Sequence, residues 1–95
     1  MGRAVRAGAG IGARMHEMSV AMEICAIAER AIGDRRPSCV TEVVIDVGDE
    51  AGIELQNLEF CLEALFGAPP FAKARAVVRR ESGDVLRVAS VEIDE

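Results

Sequence analysis

The segment that most constrains the fold of this chain is a β-branched run at residues 39–47, CVTEVVIDV, which lies between two helical patterns. Val43, Ile45 and Val47 share one side of this run, because successive residues of a strand point to opposite faces. The enrichment in valine and isoleucine predicts a strand. A strand that follows one helix and precedes another predicts a mixed α and β architecture.

Both flanking segments have the periodicity of amphipathic helices. The first, about residues 18–32, carries apolar residues at i, i+4, i+7, i+8 and i+11 from Val20. Ser19 is predicted to cap its start, and Gly33 is predicted to end it. The second helix follows a glycine-bracketed turn at 48–52, and four leucines lie on one of its faces: Leu55, Leu58, Leu62 and Leu65.

Two further extended runs, at about 72–80 and 85–93, close the chain. They are joined by residues 81–84, ESGD, and so short a link containing glycine predicts a β-hairpin. The predicted order of elements is α-β-α-β-β. This order predicts a small two-layer α+β domain, in which a three-stranded sheet carries both helices on one face.

The first 14 residues, MGRAVRAGAGIGAR, consist almost entirely of glycine, alanine and arginine. Such a segment can bury little apolar surface, so residues 1–14 are predicted to be a flexible extension, disordered or weakly helical. Residues 15–95 are predicted to form the folded domain. On this interpretation the natural chain starts either at Met1 or at Met15.

Charge and hydropathy narrow the class of function. The 95 residues carry 11 Lys plus Arg against 16 Asp plus Glu, a net charge of −5. Residues 1–14 contain three arginines and no acid, which leaves 8 bases against 16 acids in residues 15–95. That net charge of −8 argues against sequence-independent binding to nucleic acid.

No apolar run reaches the roughly 20 residues that span a bilayer, and the start of the chain lacks the apolar stretch of a signal peptide. A cytoplasmic protein without nucleic-acid or membrane partners is therefore expected.

The one histidine, His16, is the residue that most favours metal chemistry. If Met15 were the first residue, its amine, the next peptide nitrogen and the imidazole could form fused chelate rings, which suit Ni(II) or Cu(II). With residues 1–14 attached, His16 and Glu17 remain as side-chain ligands. A solvated surface histidine without a role is the alternative.

Other potential ligands and aromatic residues are predicted to pack in the core. Three cysteines form no C-x-x-C pair, which favours reduced, buried thiols over ligands or disulfides. These are Cys25, Cys39 and Cys61. Core packing is also predicted for two methionines and the three phenylalanines, namely Met18, Met22, Phe60, Phe66 and Phe71. An enzyme fits least well, because the sequence has no second histidine and no phosphate-binding loop.

Several segments together carry a resemblance to a known family. They are MHEMSVA at 15–21, VTEV at 40–43, LEF at 58–60 and LRVASVEI at 86–93. In this order they resemble the hydrogenase nickel-incorporation protein family (HypA/HybF). The resemblance spans residues 15–95.

This resemblance implies a small metallochaperone that helps to load nickel into the large subunit of [NiFe] hydrogenase or a related nickel enzyme such as urease, with a maturation GTPase as a further partner. The family binds nickel near its N-terminal Met-His-Glu, which corresponds to Met15, His16 and Glu17. An acidic residue just before the second helix belongs to the nickel region in some members, and Glu54 is the matching position.

The sequence departs from the family between its last two strands. Members insert a zinc subdomain with two C-x-x-C pairs there, whereas here residues 81–84 lead directly into the closing strand. No zinc site is therefore predicted. The leading hypothesis is a nickel-binding accessory protein. The alternative is a docking or adaptor module that keeps only the protein-binding surface of the family, and a homodimer is considered for either.

Overall fold

The computed structural model of the protein describes residues 2–11 and 16–94. Its elements are β1 (Gly2–Gly10), α1 (Glu17–Ile32), a 3-10 turn (Pro37–Cys39), β2 (Val40–Gly48), α2 (Leu55–Phe66), β3 (Arg75–Glu81) and β4 (Leu86–Asp94). The predicted α+β class is confirmed. The predicted three-stranded sheet and element order are incomplete, because β1 precedes α1 and gives the sheet a fourth strand.

The strands lie in the order β1-β4-β2-β3. β4 is antiparallel to both of its neighbours, whereas β2 and β3 are parallel and are connected through α2. The predicted hairpin between the last two strands is therefore wrong, since β2 lies between β3 and β4. A short link usually joins strands that pair with each other, but here β3 and β4 each pair with β2.

The link between β3 and β4 passes over the end of β2. The backbone N–H of Gly48 donates to the carbonyl of Val85 at 2.6 Å, and that of Asp49 donates to the carbonyl of Glu81 at 2.9 Å. A Cβ on Gly48 would occupy the space of the Gly83 carbonyl oxygen and would lie 2.7 Å from the nitrogen of Val85. Glycine at this position therefore permits the crossing.

The first strand, β1, completes one edge of the sheet. It pairs with β4 from Gly2 opposite Asp94 to Gly10 opposite Arg87. Ile11 follows it, is only 3% exposed and donates its N–H to the carbonyl of Leu86 at 3.0 Å. Residues 2–10 thus form a strand rather than the disordered or weakly helical segment that was expected, because pairing with β4 satisfies their backbone and requires few large side chains.

The core lies between the sheet and the two helices. The predicted stripe on α1 is buried at Val20, Ile24, Ile27 and Ala28, and Leu58 and Leu62 are fully buried on α2. Gly33 ends α1 at φ 65°, as predicted. The predicted cap is wrong, because α1 begins at Glu17 and Ser19 lies inside its first turn.

Three residues that were expected in the core are instead on the surface. Met18, Met22 and Phe60 are 42%, 59% and 70% exposed. Phe66 and Phe71 are buried, as predicted, and their rings meet edge to face with centroids 5.0 Å apart. The expectation rested on apolar residue type, since Met18, Met22 and Phe60 lie off the apolar stripes of the two helices.

The sheet face opposite the helices carries a fully buried carboxylate, Asp46 on β2. Its Oδ1 accepts a hydrogen bond from Nε of Arg79 at 2.7 Å, and its Oδ2 accepts from Nη2 of Arg79 at 3.1 Å and from Nε of Arg87 at 3.0 Å. The two bonds from Arg79, followed by the one from Arg87, hold the pKa of Asp46 below its usual range despite burial. Asp46 therefore links three neighbouring strands.

The cysteines are free thiols. Cys25 and Cys61 are buried, as predicted, and Cys39 is partly buried. Burial raises the pKa of Cys25 to about 11, so this thiol is protonated at neutral pH. Within residues 2–11 and 16–94, neither helix is long and apolar enough to cross a membrane.

Candidate metal site

The sequence-predicted site begins immediately before α1. His16 is exposed, has extended backbone angles and occupies the N-cap position of the helix, where its carbonyl accepts the N–H of Val20 at 3.0 Å. Its side chain makes no capping hydrogen bond. The imidazole is therefore placed at the surface, beside the first residue of the helix.

Glu17 joins the start of α1 to the start of α2. Its Oε2 accepts a hydrogen bond from the backbone N–H of Glu54 at 3.1 Å. Glu54 is the N-cap residue of α2, and its Oε1 accepts the backbone N–H of Asn57 at 2.7 Å. The structure thus brings together Glu17 and Glu54, which are 37 positions apart in the sequence.

Asn57 is the site residue that sequence reasoning missed. Its side-chain amide donates to Oε1 of Glu17 at 3.0 Å, while its backbone N–H is bonded to Glu54. One residue therefore holds both carboxylates. The available signal was the helix-start pattern Glu54-x-x-Asn57, in which an N-cap acceptor is followed three residues later by a side chain that can bridge to a second element.

Two helix starts favour negative charge at this position, because the unpaired N–H groups of a first turn attract anions. The backbone N–H of Glu54 is the largest cause that holds the pKa of Glu17 below its usual range. The N–H of Glu17 itself, the Asn57 amide and the charge of His16 act in the same direction. Glu17 is therefore a carboxylate well below neutral pH.

The four predicted ligands are brought together only in part. Met15 lies outside the described residues, so its position relative to His16 stays a prediction. The nearby acid Asp49 is bonded elsewhere: its Oδ1 accepts the N–H of Gly83 at 3.0 Å, in the link over β2. Among the residues that the structure describes, no three His, Cys, Asp or Glu side chains are grouped so as to hold a metal ion.

The donor set nevertheless has the chemistry that a nickel ion takes. Imidazole nitrogen suits Ni(II), and Ni(II) accepts mixed nitrogen and oxygen ligands. Each oxygen of a carboxylate has two lone pairs, so Glu17 retains acceptor capacity beyond its two hydrogen bonds. His16 and Glu17 could therefore contribute side-chain ligands, with Glu54 as the neighbouring carboxylate.

Comparison with known proteins gives a family for the chain. Residues 15–92 match the family described as hydrogenase/urease nickel incorporation, metallochaperone, hypA. This description is of a metallochaperone and not of an enzyme, in agreement with the sequence analysis. No solved structure matches at comparable significance.

Curated relatives agree with the family match. The hydrogenase maturation factor HypA of Parabacteroides distasonis is 35% identical over 63 residues, which cover 66% of this chain and 55% of the relative. That of Geobacter metallireducens is 36% identical over 69 residues, which cover 73% of this chain and 60% of the relative. The chain spans less than two thirds of the length of these relatives. It belongs to the HypA family of nickel-incorporation proteins.

Proposed function

We propose that this chain is a nickel-binding, metallochaperone-like accessory protein that assists nickel insertion during [NiFe] hydrogenase maturation. Family membership supports nickel as the cargo. The observation that carries the proposal for this chain is the hydrogen bond from the N–H of Glu54 to Glu17, because it holds two of the predicted site residues at one surface position.

His16 and Glu17 are the proposed side-chain ligands of Ni(II), and Glu54 completes or gates the site. The contribution of Met15 stays a prediction for a chain that begins at that residue, because its nitrogen is a peptide amide when residues 1–14 are attached. The exposure of His16 supports delivery rather than storage, since an ion at the surface can pass to an acceptor without unfolding of the domain. Asn57 is a positioning residue, because it orients both carboxylates.

Acidification is proposed to favour release of the ion. An imidazole binds a metal ion only in its neutral form, so protons compete with Ni(II) for a ligand of this kind. Glu17 stays ionised under mildly acidic conditions, because its pKa is lowered. The nickel affinity should therefore decrease as the pH is lowered, because the imidazole ligand is lost while the Glu17 carboxylate remains charged.

The proposal extends to partners and to zinc. The acceptors are proposed to be the hydrogenase large subunit or a related nickel enzyme, together with a maturation GTPase, in the cytoplasm. We propose that the chain carries the nickel-binding half of the family without its zinc half, because only residues 82–85 separate β3 from β4 and they are bonded to the end of β2. A homodimer stays a prediction.

Calorimetric titration with Ni(II) tests the proposal. The full chain should bind one ion with a dissociation constant in the micromolar range or below, and His16→Ala should weaken binding at least about tenfold. Glu17→Gln should weaken it as well. Glu29→Gln is the matched control, since it removes an exposed carboxylate from the same helix. Equal, weak binding by all four proteins would exclude delivery from this site.

The alternative function, a docking module without metal, is favoured by one observation. Met18, Met22 and Phe60 are exposed on the helices beside the site, as a surface for another protein would be. Nickel binding that does not depend on His16, combined with intact binding to a maturation partner, would support this alternative.

A further inference from the structure

The exposed large hydrophobic residues of the described chain all lie on the helix layer. They are Met18 and Met22 on α1 and Phe60 on α2, which together are called the helix-pair patch here. Exposed side chains of this size have a cost in water that a partner could remove. Methionine is also the apolar residue that adapts best to different binding partners.

The three side chains lie on the first halves of the two helices, and the two helices begin side by side. The bond between Glu17 and Asn57 joins their first turns. Met22 and Phe60 are each five residues beyond the first residue of their helix, and so lie about 7.5 Å along it at a rise of 1.5 Å per residue. Met18 is one turn before Met22 on the same face of α1. The patch therefore has members on both helices, near the helix starts that carry the candidate metal site.

Acidic residues flank the patch on both helices. Glu29 is exposed and continues the Met18–Met22 line along α1. Glu59 and Glu63 are exposed beside Phe60 on α2, where they also line a cleft that includes Arg75 of β3. Arg30, the basic residue at the end of α1, instead lines a shallow cleft against β1. An apolar centre with an acidic border is complementary to an apolar segment with basic flanks.

We propose that the helix-pair patch docks a basic amphipathic helix of a partner protein. The apolar face of that helix covers Met18, Met22 and Phe60, and its lysines or arginines lie near Glu29 and Glu63. The inference rests on the proposed function in one respect: docking here places the partner beside the ion carried at His16 and Glu17.

Peptide binding to the full chain tests this proposal without nickel. The probe is a labelled synthetic helix of about 18 residues, or five turns, made of leucine and lysine, and its counterpart replaces lysine with glutamate. Fluorescence anisotropy should show micromolar binding of the lysine peptide and none of the glutamate peptide. The double variant Met22→Ser/Phe60→Ser should weaken binding at least about tenfold, as expected for the loss of central apolar contacts.

Two matched variants separate apolar docking from charge attraction. Val77→Ser changes a partly exposed valine of β3 and should leave the affinity unchanged. Glu29→Lys/Glu63→Lys should weaken the lysine peptide and admit the glutamate peptide. Circular dichroism confirms that each variant is folded. Equal affinity of the Met22→Ser/Phe60→Ser protein and the Val77→Ser protein for the lysine peptide would overturn the proposal.

A second copy of this chain is the competing occupant. Sedimentation equilibrium that shows a dimer, together with its dissociation by Phe60→Ser, would overturn docking of a basic helix in favour of self-association. Nickel titration of Met22→Ser/Phe60→Ser separates the docking proposal from the proposed metal function. If this variant binds nickel normally and wild type does not bind the lysine peptide, only the docking proposal is wrong. If wild type binds the peptide but its nickel binding does not depend on His16, only the metal function is wrong.

Discussion

The backbone N–H of Glu54 donates a 3.1 Å hydrogen bond to Oε2 of Glu17, and this contact joins the starts of two helices that are separated by a strand in the sequence. Asn57 bonds both carboxylates. The candidate metal site is therefore a property of the packed helix pair and not of the His16-Glu17 segment alone.

The first prediction concerns the charge of Glu17. Glu17→Gln should lower the free energy of unfolding at neutral pH, because the folded state lowers the pKa of this carboxyl chiefly through the N–H of Glu54. A lowered folded pKa stabilises the protein above the unfolded value of about 4.3, and that contribution is lost as pH falls through the folded value. Denaturant unfolding from pH 7 to pH 3 should show the difference from wild type shrinking on acidification. A difference that is constant with pH would contradict it.

The second prediction concerns the buried carboxylate of β2. Asp46→Ala should destabilise the protein by about 2 kcal/mol, because it removes charged hydrogen bonds and leaves Arg79 and Arg87 without their partner. Urea denaturation at pH 7 measures the loss. Asp34→Ala, at an exposed position after α1, is the control and should change stability little. Equal effects of the two substitutions would show that Asp46 does not link the strands.

The third prediction concerns the crossing over β2. Gly48→Ala should cost about 3 kcal/mol or prevent folding, since its Cβ would meet the backbone of the link at Gly83 and Val85, which cannot move aside without breaking bonds. Gly10→Ala is the matched control, because a Cβ at that position of β1 meets nothing within 4 Å. Thermal denaturation compares the two. A stable Gly48→Ala protein would exclude this topology.

The fourth prediction concerns β1. Ile11→Ala should destabilise the protein by about 2 kcal/mol, because Ile11 is buried in the core at the end of the strand. A disordered start of the chain would predict no effect. Guanidinium unfolding of the full chain decides between these outcomes, with Ala4→Ser on the exposed side of β1 as the control.

The fifth prediction concerns thiol reactivity. Cys39 should react with iodoacetamide before Cys25 and Cys61, since it is partly exposed and the other two are buried. Burial also raises the pKa of Cys25 to about 11, which leaves little thiolate at pH 8. Mass spectrometry after timed alkylation gives the order. Denaturation before alkylation should abolish the difference among the three residues.

The helices and β2 could be predicted from the sequence because each buries a stripe whose spacing is visible within its own segment. β1 could not, since its small residues carry no strand preference and its pairing partner β4 lies at the other end of the chain. The supposed hairpin failed for a related reason: the link at 81–84 indicates a turn but does not indicate that β2 lies between the strands it joins.

The residues of the candidate site could also be predicted only in part. His16 and Glu17 were selected from the residues themselves as well as from the resemblance, and Glu54 from the resemblance alone; the structure joins Glu17 to Glu54. Asn57 was missed because its role depends on the packing of α1 against α2. Phe60 was assigned to the core from its residue type, although it lies off the leucine stripe of α2, and the structure leaves it 70% exposed.

The strand order has a consequence for how the protein acquires its structure. Among the described strands, no two neighbours in the sheet are joined by a tight turn, and the outermost pairing sets Gly2 against Asp94. A sheet of this kind has no local nucleus, so its contacts close long loops before they gain stability. The contacts within each helix are local, whereas the pairings of the sheet join residues far apart in the sequence, which predicts slower folding than that of a helical domain of this length.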